Sequence, residues 1–263
     1  MKKSIVGLVA IGALLAGPAM AADLRMPVKA APAPVVPVFS WTGLYIGING
    51  GGGWGSESWI DNSCSATCAV SHKPDGGLFG GTFGFRYQLP NNFVIGVEGM
   101  ADWADLNDTV ATASTIFPTE TETLKVKALY SATGQIGYAW NQALLYVKGG
   151  WAGANTTATI NAPTVGVVPP GLVAAPFTAS NSQNNSGWTI GVGLDYALIN
   201  NFVIGVEYDH YDLAYGAFTA PASSGPGFAP WSVTAPSRMT IDSVVGRLTY
   251  KFNFGGEALA TRY

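Results

Sequence analysis

Hydrophobic and polar residues alternate strictly along eight stretches of the chain, near 42–53, 77–89, 93–103, 125–140, 143–153, 187–198, 202–211 and 243–254. Successive side chains of a β-strand point to opposite faces, so each stretch predicts a strand with one apolar and one polar surface. In the third, Phe93, Ile95, Val97 and Trp103 share one face while Glu98 and Asp102 share the other. In the fourth, Val126, Ala128, Tyr130, Ile136, Tyr138 and Trp140 oppose Lys125, Lys127, Ser131, Thr133 and Gln135. The sixth sets Trp188, Ile190, Val192, Leu194, Tyr196 and Leu198 against Thr189, Gly191, Gly193 and Asp195. The eighth sets Val244, Leu248, Tyr250, Phe252 and Phe254 against Ser243, Arg247, Thr249 and Lys251.

A soluble sandwich alternates in the same way, and three features favour a membrane barrel instead. The stretches are about the ~9–11 residues that a tilted strand needs to cross a bilayer. The apolar face ends in aromatics, with Trp103, Trp151 and Trp188 at one end and Tyr87, Trp140, Tyr196 and Phe254 at the other, and it carries no charge between them. That is the pattern of two interfacial girdles around a lipid-facing band. The connections also alternate in length. Pro90-Asn91-Asn92, Asn141-Gln142 and Ile199-Asn200-Asn201 are tight turns, whereas 55–76, 105–123, 155–186 and 213–237 are long and polar. Short periplasmic turns and long extracellular loops characterise outer-membrane barrels. The expected fold is therefore all-β, an eight-stranded antiparallel transmembrane barrel over residues 41–254 with both ends in the periplasm.

Composition supports export. Only 11% of residues are charged, against 48% hydrophobic and 34 glycines, where an ordinary soluble domain is about 25% charged. Thirteen basic residues against 16 acidic leave no basic surplus for nucleic acid. Lys2 and Lys3, the apolar run Ile5 to Leu15 and Ala19-Met20-Ala21 have the layout of a secretory signal peptide over 1–21. Residues 22–40, with Pro27, Pro32, Pro34 and Pro37, read as an extended periplasmic linker, and a contact with peptidoglycan would fall there. Residues 255–263 follow as a periplasmic tail.

The chain repeats itself. Asn91-Asn92-Phe93-Val94-Ile95-Gly96-Val97-Glu98 recurs as Asn200-Asn201-Phe202-Val203-Ile204-Gly205-Val206-Glu207, and Gly84, Tyr87 and Leu89 match Gly193, Tyr196 and Leu198. Duplication of a half-barrel explains this, as does convergence on a good hairpin. By parity the inward charges are Arg86, Lys125, Lys127, Lys148, Arg247 and Lys251 against Glu98, Asp102, Asp195, Glu207 and Asp209. An eight-stranded interior is only just wide enough for its side chains, so near-balanced charges there imply an ion-pair network. Arg86 is expected diagonal to Glu98. A plugged structural core and a narrow polar pore both fit this lining.

Other candidate chemistry is sparse. Cys64 and Cys68, the only cysteines, read in an exported chain as a short loop-stapling disulfide. His72 is the only nearby residue that could join them at a metal, too few ligands for a site. Asp209-His210 suggests a catalytic pair, yet strand neighbours face opposite sides, which leaves His210 outward near the rim. No enzyme, cofactor or metal is expected.

Several motifs resemble one family. They are the Ala21-Ala22-Asp23-Leu24 junction with its Pro/Ala-rich linker, Trp41-Thr42-Gly43-Leu44-Tyr45-Ile46-Gly47, Asn92-Phe93-Val94-Ile95-Gly96-Val97-Glu98 and Gly246-Arg247-Leu248-Thr249-Tyr250-Lys251-Phe252. Together they resemble the outer-membrane immunogenic proteins of alphaproteobacteria, small porin-like barrels of rhizobia and their pathogenic relatives. The resemblance implies an abundant, surface-exposed, antigenic barrel that supports envelope integrity, with channel activity argued for some members and no catalytic residue. It also implies outer-membrane lipids and the barrel-assembly machinery as partners. The aromatic last strand resembles the assembly signal, with Phe252, Phe254 and Tyr263 as candidate terminal aromatics. Structural surface barrel, small-solute porin, and a loop-mediated adhesin or haem-type receptor for a host or environmental ligand are the functions to distinguish.

Overall fold

The computed structural model describes residues 39–61, 68–112, 117–168, 175–199, 201–215, 218–220, 231–233 and 237–252. The chain divides into residues 1–37, none of which is described, and residues 38–263, to which everything below belongs. The strands are β1 (Gly43–Asp61), β2 (Cys68–His72), β3 (Asp75–Gln88), β4 (Phe93–Ala111), β5 (Thr121–Trp140), β6 (Ala143–Ala162), β7 (Phe177–Ile199), β8 (Phe202–Tyr215), β9 (Phe218–Ala220), β10 (Trp231–Val233) and β11 (Ser237–Phe252). Among the described residues there is no helix.

Eight long antiparallel strands run in the order β1, β3, β4, β5, β6, β7, β8, β11, and β11 pairs back onto β1 from Leu44↔Phe252 to Glu57↔Met239. That last pairing closes the sheet and removes its free edges, a requirement in lipid because an unpaired backbone group there has no water to bond. Strand β2 extends the sheet beside the far end of β1, and β9 with β10 forms a separate ribbon. The turn at Pro90–Asn92 and the two-residue turn Asn141-Gln142 place Asn92 (φ 67°) and Asn141 (φ 53°) in the left-handed region, which asparagine tolerates.

Alternation holds through the spanning part. Ile95, Val97 and Trp103 are exposed on the outside of β4, whereas Val94, Glu98, Met100 and Asp102 between them are buried. Trp103, Trp151 and Trp188, with Trp54 and Tyr130, stand at one rim of this apolar belt. Tyr87, Trp140, Tyr196, Tyr250 and Phe252 stand at the other. Phe254 lies outside the described residues.

Two expectations are corrected. Much of the sequence expected as long loops is strand: β4 runs on to Ala111, β5 begins at Thr121, β6 continues to Ala162 and β7 begins at Phe177. Apart from Asp105, Ala111, Lys125 and Lys127, the outward positions there are mainly Thr, Ser and Asn, hydrogen-bonded across strands as Thr109–Thr123 (2.9 Å) and Thr157–Ser182 (2.8 Å), so the apolar signal of a lipid-facing strand is missing. Lys125 and Lys127, expected in the interior, are exposed on the outside. The register slips between Trp103/Leu106 of β4 and Val126/Ala128 of β5, a bulge that inverts the alternation of β5 beyond it. Val126, expected outward, is consequently buried.

Candidate functional site: the barrel interior

Three layers fill the interior. At the turn end, Trp41 (1% exposed) packs with Val94, Ala139, Leu144, Ala197 and Val203 against Phe39. Trp41 N–H donates to Gln88 Oε1 at 2.9 Å, the Phe39 and Trp41 rings meet edge to face at 5.0 Å, and Lys251 donates to the Ser40 carbonyl above the Phe39 ring. This is where β1 receives the chain, and it stops the barrel at that end with aromatic rings. At the loop end, Leu78, Met100, Leu106, Leu124, Val126, Leu129, Tyr211, Leu213, Met239, Ile241 and Val245 form a second apolar cluster. Leu124 and Val126 point inward because of the bulge in β5, while Leu106 keeps the parity of Glu98 and Asp102.

Charged groups fill the layer between. Arg86 Nη1 lies 2.7 Å from Asp195 Oδ2, and its Nε donates to Gln135 Oε1 at 3.1 Å. Its guanidinium is stacked between the rings of Tyr45 and Tyr146, 4.7 and 4.8 Å from their centroids, a weakly hydrated cation on aromatic faces. Deeper in, Arg247 bridges Glu98 and Glu207 through its two terminal nitrogens. Lys148 Nζ reaches Glu207 at 2.7 Å, Asp209 at 3.1 Å and Glu98 at 3.4 Å. Tyr45 and Tyr146 hydroxyls donate to Glu98 and Glu207, and Asn49 Nδ2 donates to Asp102 Oδ1 at 2.7 Å. Burial demands this pairing, since an isolated charge in such a place costs many kcal/mol.

Arg86 therefore meets Asp195 across the interior and not Glu98, although Arg86 pairs with Gly96 and Gly84 with Glu98 in the β3–β4 ladder. The repeat explains the geometry. Arg86 and Asp195 are equivalent positions of the two copies, and they pair with each other. Glu98 and Glu207 are equivalent too, and share Arg247 and Lys148. Beneath each sits a glycine, Gly84 or Gly193, where an added Cβ would collide with the Tyr45 or Tyr146 ring. Tyrosine, glycine and glutamate thus recur twice around the two cations. Tyr45, Tyr146, Asn49 and Gln135 escaped the charge inventory because they are neutral, though the alternation already put Tyr45 opposite Leu44 and Ile46.

Outside this core, His210 faces outward at the rim. Its Nδ1 lies 2.8 Å from Asp242 Oδ1 on β11, which also accepts from the Tyr208 hydroxyl at 2.7 Å. Asp209, its chain neighbour, belongs to Lys148. Cys64 and the side chain of Cys68 lie outside the described residues.

The loop end carries a second cluster. His72 of β2 is buried between Asp108 of β4 and Glu122 of β5, each 3.5 Å away, and pairs in the ladder with Glu57 of β1. Burial pulls its pKa down, but contact with Glu122 and the charges of Glu122, Glu57 and Asp108 outweigh this and raise it above the usual histidine value. A raised folded pKa means that the stabilisation is complete at low pH and is lost as pH rises through that pKa. Hydrogen exchange of the 68–72 amides is expected to accelerate beyond the intrinsic base-catalysed rate as pH rises past the ordinary histidine value of about 6.5 and through the raised one, and His72→Gln should abolish the step. Protection that tracks the intrinsic rate throughout would refute a charge latch on β2.

A closed antiparallel barrel with an apolar belt, aromatic rims and a paired polar interior defines an integral outer-membrane β-barrel protein. The model of the family described as outer membrane protein beta-barrel domain matches residues 9–252, and the chain belongs to that family of the bacterial outer membrane. It is similar to the 31 kDa outer-membrane immunogenic protein of Brucella melitensis, 32% identical over 219 residues, 80% of this chain and 87% of the relative. It is similar also to the 25 kDa outer-membrane immunogenic protein of Brucella abortus, 30% identical over 209 residues, 74% of this chain and 81% of the relative. Among solved structures, the outer membrane protein OprG from Pseudomonas aeruginosa matches at 17% identity with a TM-score of 0.42, covering 81% of this chain and 98% of that one.

Proposed function

We propose that this barrel is a sealed structural and surface-display element of the outer membrane and not a conduit. The observation that carries the reading is the filled interior: a buried ion network lies between two apolar clusters, one around Trp41 and one around Leu106 and Ile241. A hydrated ion entering either cluster would shed its water without finding a polar partner, which is prohibitive. The relatives' names as immunogenic proteins support surface exposure of the strand extensions beyond the Trp103–Trp151–Trp188 rim. A non-enzymatic role is supported by His210, whose imidazole has Asp242 and the Trp188 ring as its described partners, the nearby Thr189 hydroxyl being bonded to the His210 backbone carbonyl instead. Export by residues 1–21, a periplasmic linker from residue 22 up to the point where Phe39 and Ser40 enter the turn-end layer, and a Cys64–Cys68 disulfide complete the reading.

The test is single-channel recording of the refolded chain in a planar bilayer, with Glu98→Gln alongside. No conductance steps are expected from either protein once folding is verified by its heat-dependent gel mobility. Steady conductance whose ion selectivity moves with Glu98→Gln would establish the porin alternative.

A further inference from the structure

The outward faces of β5, β6 and β7 form one continuous wall with three chemistries stacked along it. Within the apolar belt lies a groove of about 710 Å³, lined among others by Gly134, Ile136, Val147, Gly149, Trp188 and Ile190. Gly134 and Gly149 face each other across the β5–β6 ladder. A Cβ added at Gly134 would meet nothing within 4 Å, so the barrel itself has no need of glycine there. A strand glycine weakens the strand, and it commonly marks a close approach by a ligand or another backbone. Nearer the loop end stand Lys125 and Lys127, both exposed and without an ion pair among the described residues. They are the only outward charges on the described parts of β5, β6 and β7; the exposed Asp105 of the adjoining strand β4 lies opposite Lys127 in the bulge but forms no ion pair with it, and Asp75 lies one strand further, on β3. The bulge in β5 puts them there, and bulges characteristically re-aim a side chain. Beyond the lysines the wall is an uncharged grid, in which Thr123, Thr159 and Ser180 form one row and Thr121, Asn161 and Thr178 the next.

We propose that this wall binds a phosphorylated glycolipid of the outer leaflet, with an acyl chain in the Gly134–Gly149 groove, phosphate at Lys125 and Lys127, and sugar against the hydroxyl and amide rows. The inference goes beyond the sealed-barrel reading and shares with it only the orientation of the loop end outward. Charge selects the occupant: an anionic headgroup complements two exposed lysines that form no ion pair among the described residues, and hydroxyl-rich sugar complements the grid. Dimensions agree. Seven residues separate Lys127 from Gly134, roughly 23 Å along a strand. At a tilt of about 40° that is a depth of roughly 18 Å, comparable with one leaflet of a ~30 Å hydrocarbon core.

The experiment is native mass spectrometry of the full refolded chain in detergent, titrated with a bisphosphorylated, hexa-acylated glucosamine disaccharide and with its dephosphorylated form. Wild type is expected to retain one bisphosphorylated lipid. Lys125→Gln with Lys127→Gln should weaken that affinity roughly ten- to thirtyfold and leave the dephosphorylated lipid unaffected. Gly134→Leu fills the groove without touching the barrel and should weaken both lipids, whereas Gly246→Leu on the opposite wall should change neither. Equal retention by wild type, the lysine variant and Gly134→Leu would overturn the proposal. So would an oxidised dimer through Gly134→Cys in a chain with Cys64 and Cys68 replaced by serine, because a second copy would then occupy the groove.

Discussion

Arg247→Met is expected to lower the stability of the folded barrel by about 3–5 kcal/mol, the cost of leaving buried charges without their partner. Arg247 is 4% exposed and contacts Glu98 and Glu207 together, so one substitution orphans two carboxylates. Lys148 remains within 3.4 Å of Glu98 and 2.7 Å of Glu207, but it already serves Asp209 at 3.1 Å. Methionine keeps the volume of the side chain, which separates loss of charge from loss of packing. Urea unfolding in lipid vesicles, followed by tryptophan fluorescence, would measure the effect. The triple variant with Glu98→Gln and Glu207→Gln should recover most of the loss, because a neutral, packed interior can match an ion-paired one. A loss below about 1 kcal/mol for the single variant would mean that the network is solvated, and the sealed interior would fall with it.

The strands that cross the membrane were legible because lipid on one side and a narrow interior on the other force strict alternation. Phe93 to Trp103 displays it over a full crossing. What lies beyond the rim was not legible for a related reason. Once the outside is water, the outward residues become Thr109, Thr123 and Ser180, which look like loop composition, and the inward residues become Leu106, Leu124 and Ile241. The alternation persists there with its polarity reversed. The bulge between Val126 and Ala128 hid the reversal, since parity counted along β5 through it sends Lys125 and Lys127 to the wrong face. Within the charge layer the sequence identified members but not partners. Arg86 and Glu98 are diagonal neighbours in the ladder, yet Arg86 reaches across the interior to Asp195. Partner choice depends on which rings flank the guanidinium, and Tyr45 and Tyr146 come from β1 and β6.

Those two tyrosines lead to the second large effect. Gly193→Val is expected to destabilise the barrel by roughly 3–5 kcal/mol, combining overpacking with loss of a hydrogen bond to a buried charge. A Cβ at Gly193 would collide with the Tyr146 ring and hydroxyl. Tyr146 is 2% exposed and has no space to retreat, so its bond to Glu207 and the 2.9 Å bond it accepts from Arg247 would be broken. The equivalent Gly84→Val, under Tyr45, should cost less. Tyr45 contacts Glu98 alone of the two glutamates and accepts no described hydrogen bond from Arg247. Tyr146→Ala removes the ring and carries its own penalty of about 3–5 kcal/mol for an emptied aromatic site. Combined with Gly193→Val, it should be little worse than Tyr146→Ala alone, because the clash has no partner left. Chemical denaturation of the four proteins of this cycle, wild type, two singles and the double, isolates the coupling. Additive losses would show that Gly193 is needed for the backbone of β7 and not for the ring, and would remove the physical reason for tyrosine and glycine recurring together in both halves of the barrel.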